Sequence, residues 1–223
     1  MRAIYLCDFE SCLKESEDLA RELPTSLFEK VAVTANIQRR KERAYSYFLA
    51  YYLMKKSHPC DENVNLSFTE TGKPYFENSD ISISISHSGG VCALIISDEK
   101  EKVGIDIELI TKKSERVSEA FLKGRDIPFY ASENNEGDTD IFSAIVSDGV
   151  LTKRLDKDSI SLKKYLSGTD KWTYCEAVLK CDGVGVCGIN DIANIIKKST
   201  VRVFNLRLNE NLYSLSVSTQ NKE

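Results

Sequence analysis

From Ile81 to Ser86 the chain alternates without a break, Ile-Ser-Ile-Ser-Ile-Ser. Successive side chains on a strand point to opposite faces, so this stretch predicts a strand with one apolar face and one hydroxyl face. A turn at His87-Ser88-Gly89-Gly90 leads to a second apolar strand, Val91 to Ser97. A charged turn from Asp98 to Lys102 then enters Val103-Gly104-Ile105-Asp106-Ile107-Glu108. The three segments predict an antiparallel meander. In the third, Ile105 and Ile107 share one face while Asp106 and Glu108 share the other.

Upstream, Met1 to Cys7 predicts a first strand, and residues 14–34 a helix interrupted near Pro24, with Thr25-Ser26 placed to cap its second piece. Residues 36–56 predict a longer helix, because Ile37, Ala44, Phe48 and Tyr51 recur on one face. Residues 60–76 read as loop and strand, with Val64, Leu66 and Phe68 alternating before the turn Thr71-Gly72-Lys73-Pro74-Tyr75-Phe76. Downstream the pattern is weaker. Val117 to Leu122 predicts a helix, residues 131–140 an acidic surface loop, and Ile141 to Val146 and Lys163 to Leu166 short elements. Asp170 to Lys180 predicts a helix with Asp170 as cap and Gly183 and Gly185 at its end. A short helix at 191–198 and two strands, Thr200 to Leu206 and Asn211 to Ser218, close the chain. A helix followed by strands occurs in each half, which predicts an α+β fold built from a repeated unit, although no residue-level repeat is visible.

Composition narrows the class. The 223 residues fit one large domain or two of about 110. No apolar run approaches the ~20 residues needed to span a bilayer, and Asp8 and Glu10 follow the first strand too closely for a signal peptide. A cytoplasmic protein without a membrane role is the expectation. The net charge of −4 gives no general case for nucleic-acid binding. Cys7, Cys12, Cys60, Cys92, Cys175, Cys181 and Cys187 contain no C-x-x-C pair. Neither a disulfide framework nor a zinc site is predicted, and Cys92 reads as a small core residue.

Four stretches carry candidate chemistry. Asp106 and Glu108 repel each other on one strand face, and a cation between them relieves this. Mg²⁺ takes such oxygen ligands together with substrate phosphates. Taken alone the hexapeptide fits an acidic solvent face better. Gly72-Lys73-Pro74 offers a stiff turn with a cation, yet is also an ordinary turn. Ser86-His87-Ser88-Gly89 could form an anion-binding nest at a strand tip. Trp172, Glu176 and Lys180 fall at i, i+4 and i+8 on one helix stripe. There Glu176 and Lys180 are either a surface pair of ~0.3–0.5 kcal/mol, or a third carboxylate and a phosphate contact. Arg39, Arg40, Lys41 and Arg43 are similarly a solvated face or a phosphate contact. A Mg²⁺–pyrophosphate site is the reading that gives all of these one purpose.

The ordered set GKP, SHS, GIDIE and W-x-x-x-E-A-x-x-K, spanning Thr71 to Lys180, resembles the Sfp-type 4′-phosphopantetheinyl transferase superfamily. The resemblance implies a pseudo-twofold pair of α+β halves, each a helix packed on a small antiparallel sheet. Residues 1–108 would carry the basic helix, GKP, SHS and GIDIE, and residues 109–223 the tryptophan helix and closing strands. Coenzyme A would bind between the halves with Mg²⁺ on its pyrophosphate. The hydroxyl of a carrier-protein serine would attack the β-phosphate, and adenosine 3′,5′-bisphosphate would leave. By position, Asp106, Glu108 and Glu176 would hold the metal. Thr71 to Phe76, with Gly72, Lys73 and Pro74 at the turn, would line the adenine pocket, Lys73 near phosphate. Ser86, His87, Ser88 and Gly89 would bind the 3′-phosphate region, and Arg39 and Arg43 of the basic helix would also contact the coenzyme. Glu176 and Lys180 would act in catalysis, Lys180 by neutralising the bridging phosphates. A metal-bound water, Glu108 or Asp126 would take the serine proton.

The chain departs from the family pattern at Cys175, commonly lysine, at the arginine expected near Ser46, and at a downstream glutamate for which Asp126 is the candidate. The segment around 130–140 reads as an insertion. The implied partners are coenzyme A and an acidic, helical acyl, polyketide or peptidyl carrier, served by a monomer, with residues 111–130 as the docking surface. A catalytically impaired relative that binds coenzyme A or a carrier as a regulatory module is the second class. A metal-dependent phosphohydrolase acting on small nucleotides is the third.

Overall fold

The computed structural model describes residues 2–57, 65–98, 101–130, 139–147 and 149–221. The chain runs through β1 (Arg2–Asp8), α1 (Ser16–Glu22), α2 (Thr25–Ala32), α3 (Ile37–Ser57), β2 (Leu66–Phe68), β3 (Pro74–Phe76), β4 (Ser82–Ser88), β5 (Val91–Ser97) and β6 (Glu101–Leu109). It continues through α4 (Lys112–Leu122), β7 (Thr139–Val146), β8 (Val150–Arg154), β9 (Ile160–Leu162), α5 (Gly168–Asp182), α6 (Ile192–Ile196), β10 (Thr200–Leu208) and β11 (Asn211–Asn221). The class is α+β, as the pattern predicts. A first sheet has the order β4-β5-β1-β7-β8, a second β6-β11-β10-β9, and β2 and β3 form a ribbon. Within the first sheet β1 and β7 run parallel. No helix among the described residues is long and apolar enough to cross a membrane.

The layers follow from alternation. Ile4, Leu6, Val91, Ala93 and Ile95 face Val103, Ile105, Ile107, Leu215 and Val217, so the two sheets pack on each other. The alternate residues Cys7, Ile83, Cys92 and Leu94 pack under α1, α2 and α3. On the outer side of the second sheet, Val201 and Val203 meet Tyr174 and Val178 of α5 and Ile192 of α6. Cys92 is fully buried in the first core, as read from its strand. The described cysteines, Cys7, Cys12, Cys92, Cys175, Cys181 and Cys187, are free thiols.

The predicted three-stranded meander does not form. β4 and β5 pair, but the other neighbour of β5 is β1, and β6 pairs with β11 in the second sheet. Both faces of β5 are apolar and buried, which suits a strand enclosed by β1 and β4. The hydroxyl face of β4 instead joins the sheets at their edges. Ser82 Oγ donates to Glu101 O (2.6 Å), and Ser84 Oγ accepts from Ile105 N–H (3.2 Å). Ser86 Oγ donates to Asp106 Oδ1 (2.7 Å), and Ser88 Oγ accepts from Leu109 N–H (3.1 Å). Side-chain hydroxyls therefore stand in for a main-chain ladder. The sheets also trade strands across the sequence midpoint. β6 belongs to the second sheet, whereas β7 and β8 return to the first.

Smaller differences concern caps. Thr25 is the first residue of α2, behind Pro24, and makes no side-chain cap. α5 starts two residues before Asp170. Ser167 is its cap, and Asp170 is the reciprocal partner in a capping box. Lys163 to Leu166 is irregular, with β9 just ahead of it. Cys60, Val64, residues 99–100 and the 131–138 part of the acidic loop lie outside the described residues.

Candidate active site at the seam between the sheets

Gly104 sits where β6 passes beneath α5. A Cβ there would lie 2.0 Å from Ala177 O, 2.5 Å from Cys181 N and 2.8 Å from Cys181 Cβ. Strand and helix can meet this closely only because position 104 has no side chain. The contact sets the Trp172–Glu176–Lys180 stripe over the Asp106–Glu108 face. At the far end of α5, Gly183 takes the left-handed conformation that closes the helix (φ 88°). The turn before β3 docks there. Thr71 Oγ1 donates to Gly183 O (2.8 Å), and Lys73 Nζ donates to Cys181 O (2.6 Å). An ammonium beside the last carbonyls of a helix also complements its dipole.

These placements open a cleft of about 550 Å³, within the range of small-molecule sites. Arg43, Ser46 and Tyr47 of α3, Ser86 and His87 of β4, Asp106 and Glu108 of β6, and Trp172, Glu176 and Lys180 of α5 line it. Gly72 and Pro74 close one side, and a branch of about 250 Å³ continues over Thr71, Lys73 and Gly183. The first candidate set is thus largely brought together from four distant segments. Others fall elsewhere. Arg39 is exposed on the first turn of α3, where its N–H meets Asn36 Oδ1. Asp126 is exposed beyond α4 and is not among the cleft residues. Ser88 serves the seam, and Gly89 packs against Leu109 and gives its carbonyl to Tyr213. Lys73, expected near phosphate, is committed to the end of α5. Cys175 is fully buried in the core beneath α5, and burial pushes its thiol up to about 12.

Charge in the cleft is concentrated. Asp106 Oδ1 accepts from both Ser86 Oγ (2.7 Å) and Lys180 Nζ (2.6 Å). Burial raises the carboxyls of Glu108 and Glu176 above the usual range, and the Asp106 charge raises both further, while Lys180 partly offsets this. Glu176 Oε1 is buried and has no hydrogen-bond partner. Burying an acceptor unmet is costly unless something completes it. An oxygen donor set of this kind fits a hard divalent cation in ligand type. Among the described residues, no three His, Cys, Asp or Glu side chains lie close enough together to hold a metal ion.

A prediction follows from the raised carboxyls. An acid whose folded pKa lies above its unfolded one destabilises the fold once pH exceeds the unfolded value, because the native state resists ionisation. Glu176→Gln should therefore melt higher than the unmodified chain at pH 7, and the gain should vanish as pH falls below ~4.3, the ordinary glutamate value. Thermal melts across that window measure it. An equal or lower melting temperature at pH 7 would contradict the described burial.

Sequence reading missed Glu42. Its Oε2 lies 3.1 Å from His87 Nδ1, and its Oε1 accepts from Gln38 Nε2 (3.2 Å). Gln38, Glu42 and Ser46 form a polar i, i+4, i+8 stripe beside the apolar one on α3, which was the available signal.

No protein-family model matches the chain. A curated protein of Haemophilus influenzae, named "Putative 4'-phosphopantetheinyl transferase", is 35% identical over 98 residues, covering 41% of this chain. The chain spans 42% of that relative's length. This similarity supports the resemblance carried by the four motifs.

Proposed function

We propose that the cleft binds coenzyme A and transfers its phosphopantetheine arm to a serine of an apo carrier protein. The observation that carries this reading is the meeting of Asp106 and Glu108 with Glu176 and Lys180 from a distant helix around one cleft, with Glu176 Oε1 buried and unpartnered. Asp106, Glu108 and Glu176 would hold a Mg²⁺ ion, which when bound supplies charge neutralisation on the diphosphate. The protein's own task is positioning and charge stabilisation, as phosphoryl transfer requires. Lys180 neutralises the bridging phosphates, while His87 and Arg43, on the α3 side of the cleft, bind the 3′-phosphate region. The serine oxygen attacks the β-phosphorus, the bond to the bridging oxygen breaks, and adenosine 3′,5′-bisphosphate leaves. Glu108 takes the serine proton. It lines the cleft, as Asp126 does not, within reach of a serine brought to the diphosphate. One chain supplies every group named, which supports a monomer; a cytoplasmic, acidic helical carrier is its proposed partner.

The test is mass spectrometry of an apo carrier domain incubated with protein, Mg²⁺ and coenzyme A. A gain of one phosphopantetheine arm is the expected result. Binding of coenzyme A or carrier without that gain would favour a regulatory relative, a reading encouraged by the burial of Cys175 where relatives commonly place a cation. Phosphate release with no carrier present would favour a hydrolase.

A further inference from the structure

His87 projects from β4 toward α3, on the strand face opposite the serine seam. Three charged groups act on it from three elements, namely Glu42 of α3, Asp106 of β6 and Lys180 of α5. Glu42 is the one in contact, 3.1 Å from Nδ1. Its side chain is only 13% exposed, with Oε1 accepting from the Gln38 amide and Oε2 in ion-pair contact with the imidazole. Ser46, one turn further along α3, bonds back to Glu42 O (2.7 Å) and lines the same cleft. A carboxylate held this way is a local anchor, not a solvated charge. A ring nitrogen engaged by a carboxylate carries the proton, and this fixes both tautomer and ring orientation.

We propose that Glu42 is a positioning residue. It holds the His87 proton on Nδ1 and so presents Nε2 to the cleft as the nitrogen that meets the ligand. This deepens the proposed transfer reaction and rests on it only for its kinetic consequence. The arrangement accounts for a negative side chain next to a site assigned to anions. Glu42 acts on the ligand through the imidazole, whose plane it sets, and the ring stands between carboxylate and ligand.

The chain has two histidines, His58 and His87, so imidazole ¹H–¹⁵N correlation spectra of the whole protein are readily assigned with His87→Ala. At a pH where both rings are neutral, the His87 proton is expected on Nδ1. In Glu42→Ala it should move to Nε2, the form free histidine prefers. Glu42→Gln keeps an amide oxygen that can accept the same bond and should retain the Nδ1 form. That variant decides the matter should the alanine substitution fail to fold. An Nε2 proton in the unmodified chain, or no change in Glu42→Ala, would overturn the proposal. In the transfer assay Glu42→Ala should lose about 10- to 100-fold in kcat/KM, the scale of lost orientation of a site residue. Combined with His87→Ala it should cost no more than His87→Ala alone. Losses that multiply would show that Glu42 acts apart from His87. Should the chain transfer nothing, the spectra still decide the positioning role, so the two failures are distinguishable.

Discussion

Asp106→Asn is expected to lower transfer of the phosphopantetheine arm by about 10²-fold or more while leaving the fold intact. The asparagine keeps an oxygen that can accept from Ser86 and Lys180, both of which converge on Asp106 Oδ1. What it removes is the charge at the centre of the acidic cluster. Asp106→Ala should abolish transfer but also weaken the protein, because it strips the ammonium of Lys180 of its partner. Breaking a fully buried pair costs about 3–5 kcal/mol. The loss here should be smaller, since the Lys180 side chain is 28% exposed and water screens it. Comparing the two variants separates chemistry from folding, with circular dichroism and thermal melts alongside the mass assay. Undiminished transfer by Asp106→Asn would remove the metal assignment.

Gly104→Ala is expected to be the most damaging small substitution on the strand. The added Cβ would meet backbone atoms of α5, at 2.0 Å from Ala177 O and 2.5 Å from Cys181 N, and neither can swing aside as a side chain could. Overpacking typically costs about 1–3 kcal/mol, and backbone clashes belong at the top of that range. For a chain of this size about 3 kcal/mol corresponds to a fall in Tm on the order of 10 °C. Relief requires α5 to lift from β6, which separates Glu176 and Lys180 from Asp106. Activity should therefore fall even well below the melting temperature. A variant that melts within about 2 °C of the parent and remains active would show that the approach is not needed.

Both predictions concern one short strand, and much of its role is legible in the sequence. Alternation placed Ile105 and Ile107 in the core and turned Asp106 and Glu108 to the other face. Helical spacing likewise put Trp172, Glu176 and Lys180 on one stripe. The pairing of the strands was not legible, because alternation specifies faces but not neighbours. The hydroxyl face of β4 is unremarkable until β6 lies against it. The basic run at 39–43 divides in the structure. Arg39 and Arg43 lie one turn apart on the same side of α3, but Arg39 is in the exposed first turn, a turn short of the cleft. Arg43 reaches the cleft and Arg39 does not. Arg43 also donates to Thr34 Oγ1 (2.8 Å), which holds it in place. Glu42 escaped notice because its role depends on β4, more than forty residues downstream. The hold on Lys73 was not legible, because no local pattern shows that its turn docks on the end of a helix about a hundred residues later.

The trading of strands between the sheets bears on how the polypeptide can be divided. Cut after β6, the leading fragment would present a bare β1 edge where β7 belongs and would carry an orphan strand with nothing to zip onto. The trailing fragment would offer the naked flank of β11 to any chain that came near. Such open flanks invite self-association. Each piece made alone should clump, whereas the two made together in one cell should find each other and reconstitute the whole. The motifs fall into a leading and a trailing group, yet each main sheet is completed only with strands from both.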